Sequence, residues 1–213
     1  MSKDRIKLAL GGVLIVVAVV RLALYSSPRP PFDAGVHEAL GRVMAEEALR
    51  YAPGGGNLVL IVRDTKSVAS PAADAQIRSF CKAVGRSARI GSTNAIKIDP
   101  LRVPEVPAGD FWTLMKNAGE NDVIVSFMGP PTFSEAQQAK LGGKAAKVVA
   151  LATGAIARRV DLPSLFKRGL LQAAIVDREA ASRPNPAASA SDSRTIFDSL
   201  YTVVSATSMG PKP

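Results

Sequence analysis

The chain has 213 residues, 47% hydrophobic and 21% charged, a composition that builds one packed domain and argues against disorder. Its net charge of +9 is not a nucleic-acid signature: Lys3, Arg5, Lys7, Arg21 and Arg29, against the single Asp4, hold nearly half of it in the first thirty residues, and the rest is spread without a basic stripe or stacking aromatics. With 1 cysteine and 1 histidine, the chain can form neither an intramolecular disulfide nor a zinc site of the usual nitrogen and sulfur ligands.

Residues 1–26 read as a transmembrane anchor or signal segment. A positive leader precedes the uncharged apolar run Leu8–Val20, and Arg21 separates that run from Leu22–Tyr25. The uncharged run alone has the length of a signal-peptide core. If Arg21 snorkels to the interface, Ile6–Tyr25 is long enough to span, with Tyr25 in the aromatic belt. The poor small-residue pattern ahead of Ser26 favours the uncleaved anchor over a secreted product. The basic leader places the N-terminus inside and the domain on the extracytoplasmic side of the membrane. The segment 27–32, rich in proline, reads as a stiff spacer.

The α/β domain is expected over 33–207, with a frayed tail at 208–213. A helical repeat of Val36, Leu40, Val43 and Met44 covers Asp33–Ala52. Pro53-Gly54-Gly55-Gly56 breaks it, and the continuous apolar run Leu58–Val62 marks a strand buried on both faces. Ser70-Pro71 opens a helix that runs to Val84. Ala95–Ile98 reads as a strand, Pro107–Gly119 as a helix and Val123–Phe127 as another buried strand. Ser134 and Gln137 form a capping box for a helix that Gly142-Gly143 ends. Val148–Ala152 and Ala173–Val176 are strands flanking a short helix, Leu162–Arg168, closed by Gly169. Ala180–Ser193 reads as a loop, Thr195–Leu200 as a short helix and Tyr201–Ser205 as a last strand. Strands alternating with helices predict a flavodoxin-like, doubly wound, mostly parallel sheet of five or six strands.

In such sheets ligands sit beyond the carboxyl ends of the strands, at a topological switch point. Four loops therefore hold the candidate ligand contacts: Arg63-Asp64-Thr65, Gly129-Pro130-Pro131, Thr153-Gly154 and Asp177-Arg178-Glu179. The residues selected from them are Asp64, Thr65, Gly129, Thr153, Gly154, Asp177 and Arg178.

No catalytic residue, metal ligand or cofactor is assigned. His37 lies on a helix near the spacer and reads as a surface or packing histidine, which leaves no base for a Ser-His-Asp triad or a Cys-His dyad. Cys81 shares a helical face with Ile77, Phe80 and Val84 and is expected to be buried and structural. Thr153-Gly154, with Arg158 and Arg159 close by, either holds an anion or places solvated arginines at a helix start. Asp64 and the pair Asp177 and Glu179 fall on the ligand edge, where carboxylates either do acid–base work or cap loops.

The order of pieces resembles the second lobe of type I periplasmic sugar-binding proteins over about residues 34–179. The matching stretches are Met44-Ala45-Glu46-Glu47 leading through Gly55-Gly56 into Asn57-Leu58-Val59-Leu60-Ile61, then Ala75-Gln76-Ile77-Arg78-Ser79-Phe80, and then Leu165 through Gly169 into Ala173-Ala174-Ile175-Val176. The resemblance implies a small polar ligand at the crest. The chain departs from it in two ways: its length leaves room for one lobe, and Gly129-Pro130-Pro131 offers no polar side chain where a ligand contact is expected. Dimerisation to complete a cleft and service as a protein-contact module both fit those departures. The reading is thus a non-catalytic, membrane-anchored binding or interaction module. A carboxylate-dependent hydrolase or transferase, or a structural subunit of an envelope complex, is the alternative. Its expected partners are the membrane, a small polar ligand or an envelope protein, and no nucleic acid.

Overall fold

The computed structural model describes residues 15–18, 21, 32–52, 56–66, 68–98, 105–141, 146–179 and 192–208. The chain divides into two units, residues 1–33 and 34–213. In the first unit, residues 15–18 and Arg21 are helical, and Ile15, Val16 and Val17 are exposed. Most of the expected anchor lies outside the described residues, and among the described residues no helix is long and apolar enough to cross a membrane.

The second unit runs α1 (Ala34–Tyr51), β1 (Asn57–Arg63), α2 (Pro71–Val84), β2 (Arg89–Ile96), α3 (Ala108–Asn117), β3 (Val123–Ser126), α4 (Glu135–Leu141), β4 (Lys147–Ala152), α5 (Leu162–Lys167), β5 (Ala173–Asp177), α6 (Ser193–Leu200) and β6 (Tyr201–Ser205). The six strands form one sheet in the order β2-β1-β3-β4-β5-β6. Every pairing is parallel except β5 with β6, which is antiparallel. Strands 1 to 5 therefore have the flavodoxin-like order, with β6 added at one edge.

Alternation along β1 sends its residues to two cores. Leu58, Leu60 and Val62 pack with Leu40, Val43 and Met44 of α1, Phe80 and Val84 of α2, and Phe197 of α6. Ile61 packs on the opposite side with Ile124, Val148 and Ala174, under Phe111 and Met115 of α3 and Leu165 and Phe166 of α5. Both faces of β3 are fully buried, which is why its sequence is apolar without a period. Each buried Leu, Ile or Phe contributes roughly 1.5–3 kcal/mol.

Local signals set the element ends. Ser70 Oγ accepts from the Ala73 N–H at 3.4 Å, Pro71 sits at the first turn of α2, and Gly85 closes it at φ 51° with its N–H on the Cys81 carbonyl. The Ser134–Gln137 box is reciprocal: Gln137 Oε1 accepts from the Ser134 N–H at 2.9 Å, and Ser134 Oγ from the Gln137 N–H at 3.4 Å. Helices α1 and α2 meet at Gly41, where a Cβ would lie 2.1 Å from the Gln76 carbonyl oxygen. Gln172 joins three elements at the lower rim. Its Oε1 accepts from the Val148 N–H, its Nε2 donates to the Gly169 carbonyl at 2.9 Å, and its carbonyl accepts from the Tyr51 hydroxyl at 3.2 Å.

Three expectations are corrected. The second strand covers Arg89–Ile96 rather than Ala95–Ile98. It is an edge strand with no fully buried residue, so most of it carries no apolar run, and its register slips against β1 between Leu58 and Val59. Cys81 is exposed rather than buried. The buried positions of α2 are Ala75, Phe80 and Val84, and Cys81 stands one residue round the helix from that stripe. Desolvation by the surrounding helix still pushes its thiol pKa up, so at neutral pH it stays protonated. Ser193 begins α6 instead of ending a loop, and residues 180–191 of that expected loop lie outside the described residues. The Gly142-Gly143 stop and the Pro53-Gly54-Gly55 break fall outside them too.

Candidate functional site at the sheet crest

The strand order reverses between β1 and β3, because β2 lies on one side of β1 and β3 on the other. A doubly wound sheet opens a crevice at that point, since the connections leave in opposite directions. Here a groove of about 210 Å³ lies over the carboxyl ends of β1, β3 and β4. Its polar lining is Arg63, Ser70 and Gln76, and Phe127, Leu151 and Ile156 are among its apolar walls. Below the ~300–1,000 Å³ of drug-sized pockets, it suits a small occupant.

The polar groups of the groove are unequally engaged. Ser70 Oγ is held by the Ala73 amide. Gln76 Nε2 lies 3.1 Å from Nδ1 of His37, so the only histidine packs α1 onto α2. The Nε of Arg63 is buried without a hydrogen-bond partner, and Arg63 makes no ion pair among the described residues.

A second recess of about 320 Å³ opens further along the crest, between the loops after β3 and β4, where Phe133, Gln138, Arg159 and Asp161 line it. Asp161 is committed there as the N-cap of α5, accepting from the Ser164 N–H at 3.1 Å. Phe133 packs edge-on against both Phe111 and Trp112.

The seven residues selected from sequence sit on the crest, and none of them lines either recess. Asp64 Oδ1 accepts from the Lys66 N–H at 3.0 Å, forming a local turn. Thr65 donates its hydroxyl to Asp74 Oδ1 at 3.1 Å. Gly129 adopts φ 103°, and a Cβ there would come within 3.1 Å of Ile156, a wall of the groove. Thr153 and Gly154 open a run of turns, 154–159, where sequence allows a helix start. Asp177 Oδ2 accepts from the Gly154 N–H at 2.5 Å. Arg178 donates its backbone N–H to the Leu200 carbonyl at 2.8 Å and reaches the Tyr201 carbonyl with its guanidinium at 3.5 Å. The structure thus brings together only Gly154 and Asp177 of the seven. Asp64 and Asp177 close strands three places apart, about 14 Å at the usual strand spacing. Among the described residues no group of three or more His, Cys, Asp or Glu side chains could hold a metal ion.

Sequence reasoning passed over Arg63 although it opens a selected loop. The available signal was a lone cation closing an otherwise apolar strand. Gln76 and Ile156 gave none, because they reach the groove from a helix and a turn that only the fold brings there.

No known protein family and no curated protein matches the sequence. Solved structures do match the fold. A solute-binding protein of an ABC transporter from Burkholderia graminis, in complex with D-arabinose, aligns with 17% identity and a TM-score of 0.51 over 83% of this chain and 62% of its own. A carbohydrate-transporter solute-binding protein from Agrobacterium radiobacter, also with D-arabinose, aligns with 14% identity and a TM-score of 0.50 over 82% of this chain and 61% of its own. The XylFII–LytSN complex contains a chain aligned with 13% identity and a TM-score of 0.50 over 81% and 60%. The likeness is one of fold. This chain spans less than two thirds of the length of each of these proteins.

Proposed function

We propose that this chain is a membrane-anchored, extracytoplasmic binding module that holds a small polar ligand in the crest groove and performs no chemistry on it. The observation that carries the reading is the groove at the switch point, apolar-walled and set with few polar groups. Paired-carboxylate catalysis requires both groups at one substrate, and the separation of Asp64 and Asp177 disfavours it. The loops carrying Asp64, Thr65, Gly129, Thr153, Gly154, Asp177 and Arg178 flank the groove in this reading and set its rim. Anchoring is supported by the basic leader, the apolar run Leu8–Val20 and the exposed Ile15, Val16 and Val17. A protein partner is the second reading, favoured by the fold's likeness to a chain found in complex with LytSN.

The test is a thermal-shift screen of the detergent-solubilised full chain against sugars, nucleotides and small anions. A ligand that binds only the native state at a hundred times its Kd adds about 2.7 kcal/mol of stability. A shift with one chemical class supports the binding module. A flat panel from a cooperatively melting protein overturns the small-ligand reading in favour of the protein partner. Alkaline extraction of membranes tests the anchor: release of the full-length chain with peripheral proteins would refute it.

A further inference from the structure

Resting on that binding role, we infer that the crest groove selects an anion, a small carboxylate or phosphate, over a neutral sugar. Among the described residues, Arg63 is the only formal charge in the groove lining. Arg63 is half-buried, and its Nε is enclosed without a hydrogen-bond partner, which is costly for a polar group. The nearby carboxylates are committed elsewhere: Asp64 to the Lys66 amide and Asp74 to the Thr65 hydroxyl. Of the other polar lining groups, Ser70 Oγ accepts from the Ala73 amide and Gln76 Nε2 meets His37, so neither brings a charge to the groove. Among the described residues, the groove therefore presents one cation without an ion pair, set beside apolar walls and with no carboxylate in its lining. An anionic oxygen on the guanidinium would neutralise the charge, and a planar guanidinium binds carboxylate and phosphate best. A neutral polyol would leave the Arg63 charge uncompensated.

The experiment compares molecules of one carbon skeleton that differ in charge: D-arabinose, D-arabinonate and D-arabinose 5-phosphate, each titrated calorimetrically into the full chain. Binding of either anion at least about tenfold tighter than D-arabinose supports the inference. Arg63→Gln should remove that preference, and added salt should weaken the anions more than the sugar. In the unsubstituted protein the Arg63 Nε–H resonance should move when the anion is added, which keeps the test intact if the variant unfolds. Equal or tighter binding of D-arabinose overturns the anion preference and leaves the binding module standing. Silence from all three, and from the wider ligand panel, overturns both. An anion that binds without moving the Arg63 resonance overturns the assigned site.

Discussion

Asp177 Oδ2 takes a hydrogen bond from the Gly154 backbone N–H at 2.5 Å, so the end of β5 holds the first turn after β4. Both residues are exposed, and the bond is charge-assisted. Asp177→Ala should cost about 1 kcal/mol. Hydrogen exchange at the Gly154 amide should accelerate selectively, which separates local release of this turn from global loss. Unchanged exchange there would show that the bond does not hold the turn.

Glu47 is 3% exposed on α1, paired to Arg50 at 3.1 Å through Oε1, while its Oε2 is buried without a partner. Burial pushes its pKa up, against the smaller opposing pull of Arg50 and Arg194. The folded carboxyl thus keeps its proton to higher pH than the unfolded one. Stability associated with Glu47 is full below the ordinary carboxylate range and falls as pH rises through the folded pKa. Glu47→Gln should raise Tm near pH 7, with the advantage vanishing toward pH 4. Losing the ion pair offsets little, because the Arg50 side chain is 66% exposed. A variant less stable than the parent at neutral pH would show that the pair outweighs the desolvation.

Gly41→Ala sets two effects against each other. Alanine improves a helix interior by about 1 kcal/mol. The added methyl, however, meets the Gln76 carbonyl at 2.1 Å, a backbone atom that cannot swing aside. Overpacking of this kind costs about 1–3 kcal/mol and here exceeds the propensity gain. Chemical denaturation should show net destabilisation, and Gly41→Val should be worse.

Gln172→Ala leaves the Val148 N–H and the Gly169 carbonyl without their partner and should cost about 2 kcal/mol. Gln172→Glu keeps the acceptor for Val148 and loses only the donor to Gly169, so its midpoint should fall between those of parent and alanine variant. Equal losses would place the energy in the Gly169 contact.

Legibility in the sequence followed burial. The strands at Leu58–Val62, Val123–Phe127, Val148–Ala152 and Ala173–Val176 were readable because both faces are covered and their apolar runs are continuous. Most of β2 was not, because an edge strand half in water has no such run. The crest was legible as a location, since strand order alone directs a ligand there. Its groove residues were not, because Gln76 of α2 meets Leu151 and Ile156, some seventy-five residues on, only through the fold. Asp64, Thr65 and Asp177 drew notice as polar groups at strand ends, and each proves to hold a neighbouring group: the Lys66 amide, Asp74 of α2 and the Gly154 amide. Among the described residues, the Arg63 side chain has no such partner.

The slipped edge strand β2 bears on self-association. A sheet edge is a template for another chain's strand, and aggregation begins where that edge is long, flat and apolar. Here the edge reads Arg89-Ile90-Gly91-Ser92-Thr93-Asn94-Ala95-Ile96, with a bulge in its register and the Asn94 amide turned to the Leu60 carbonyl at 3.2 Å. A second copy docking strand to strand would meet an irregular hydrogen-bond ladder and few apolar side chains. The fold is thereby guarded against fibre-like growth from the β2 side.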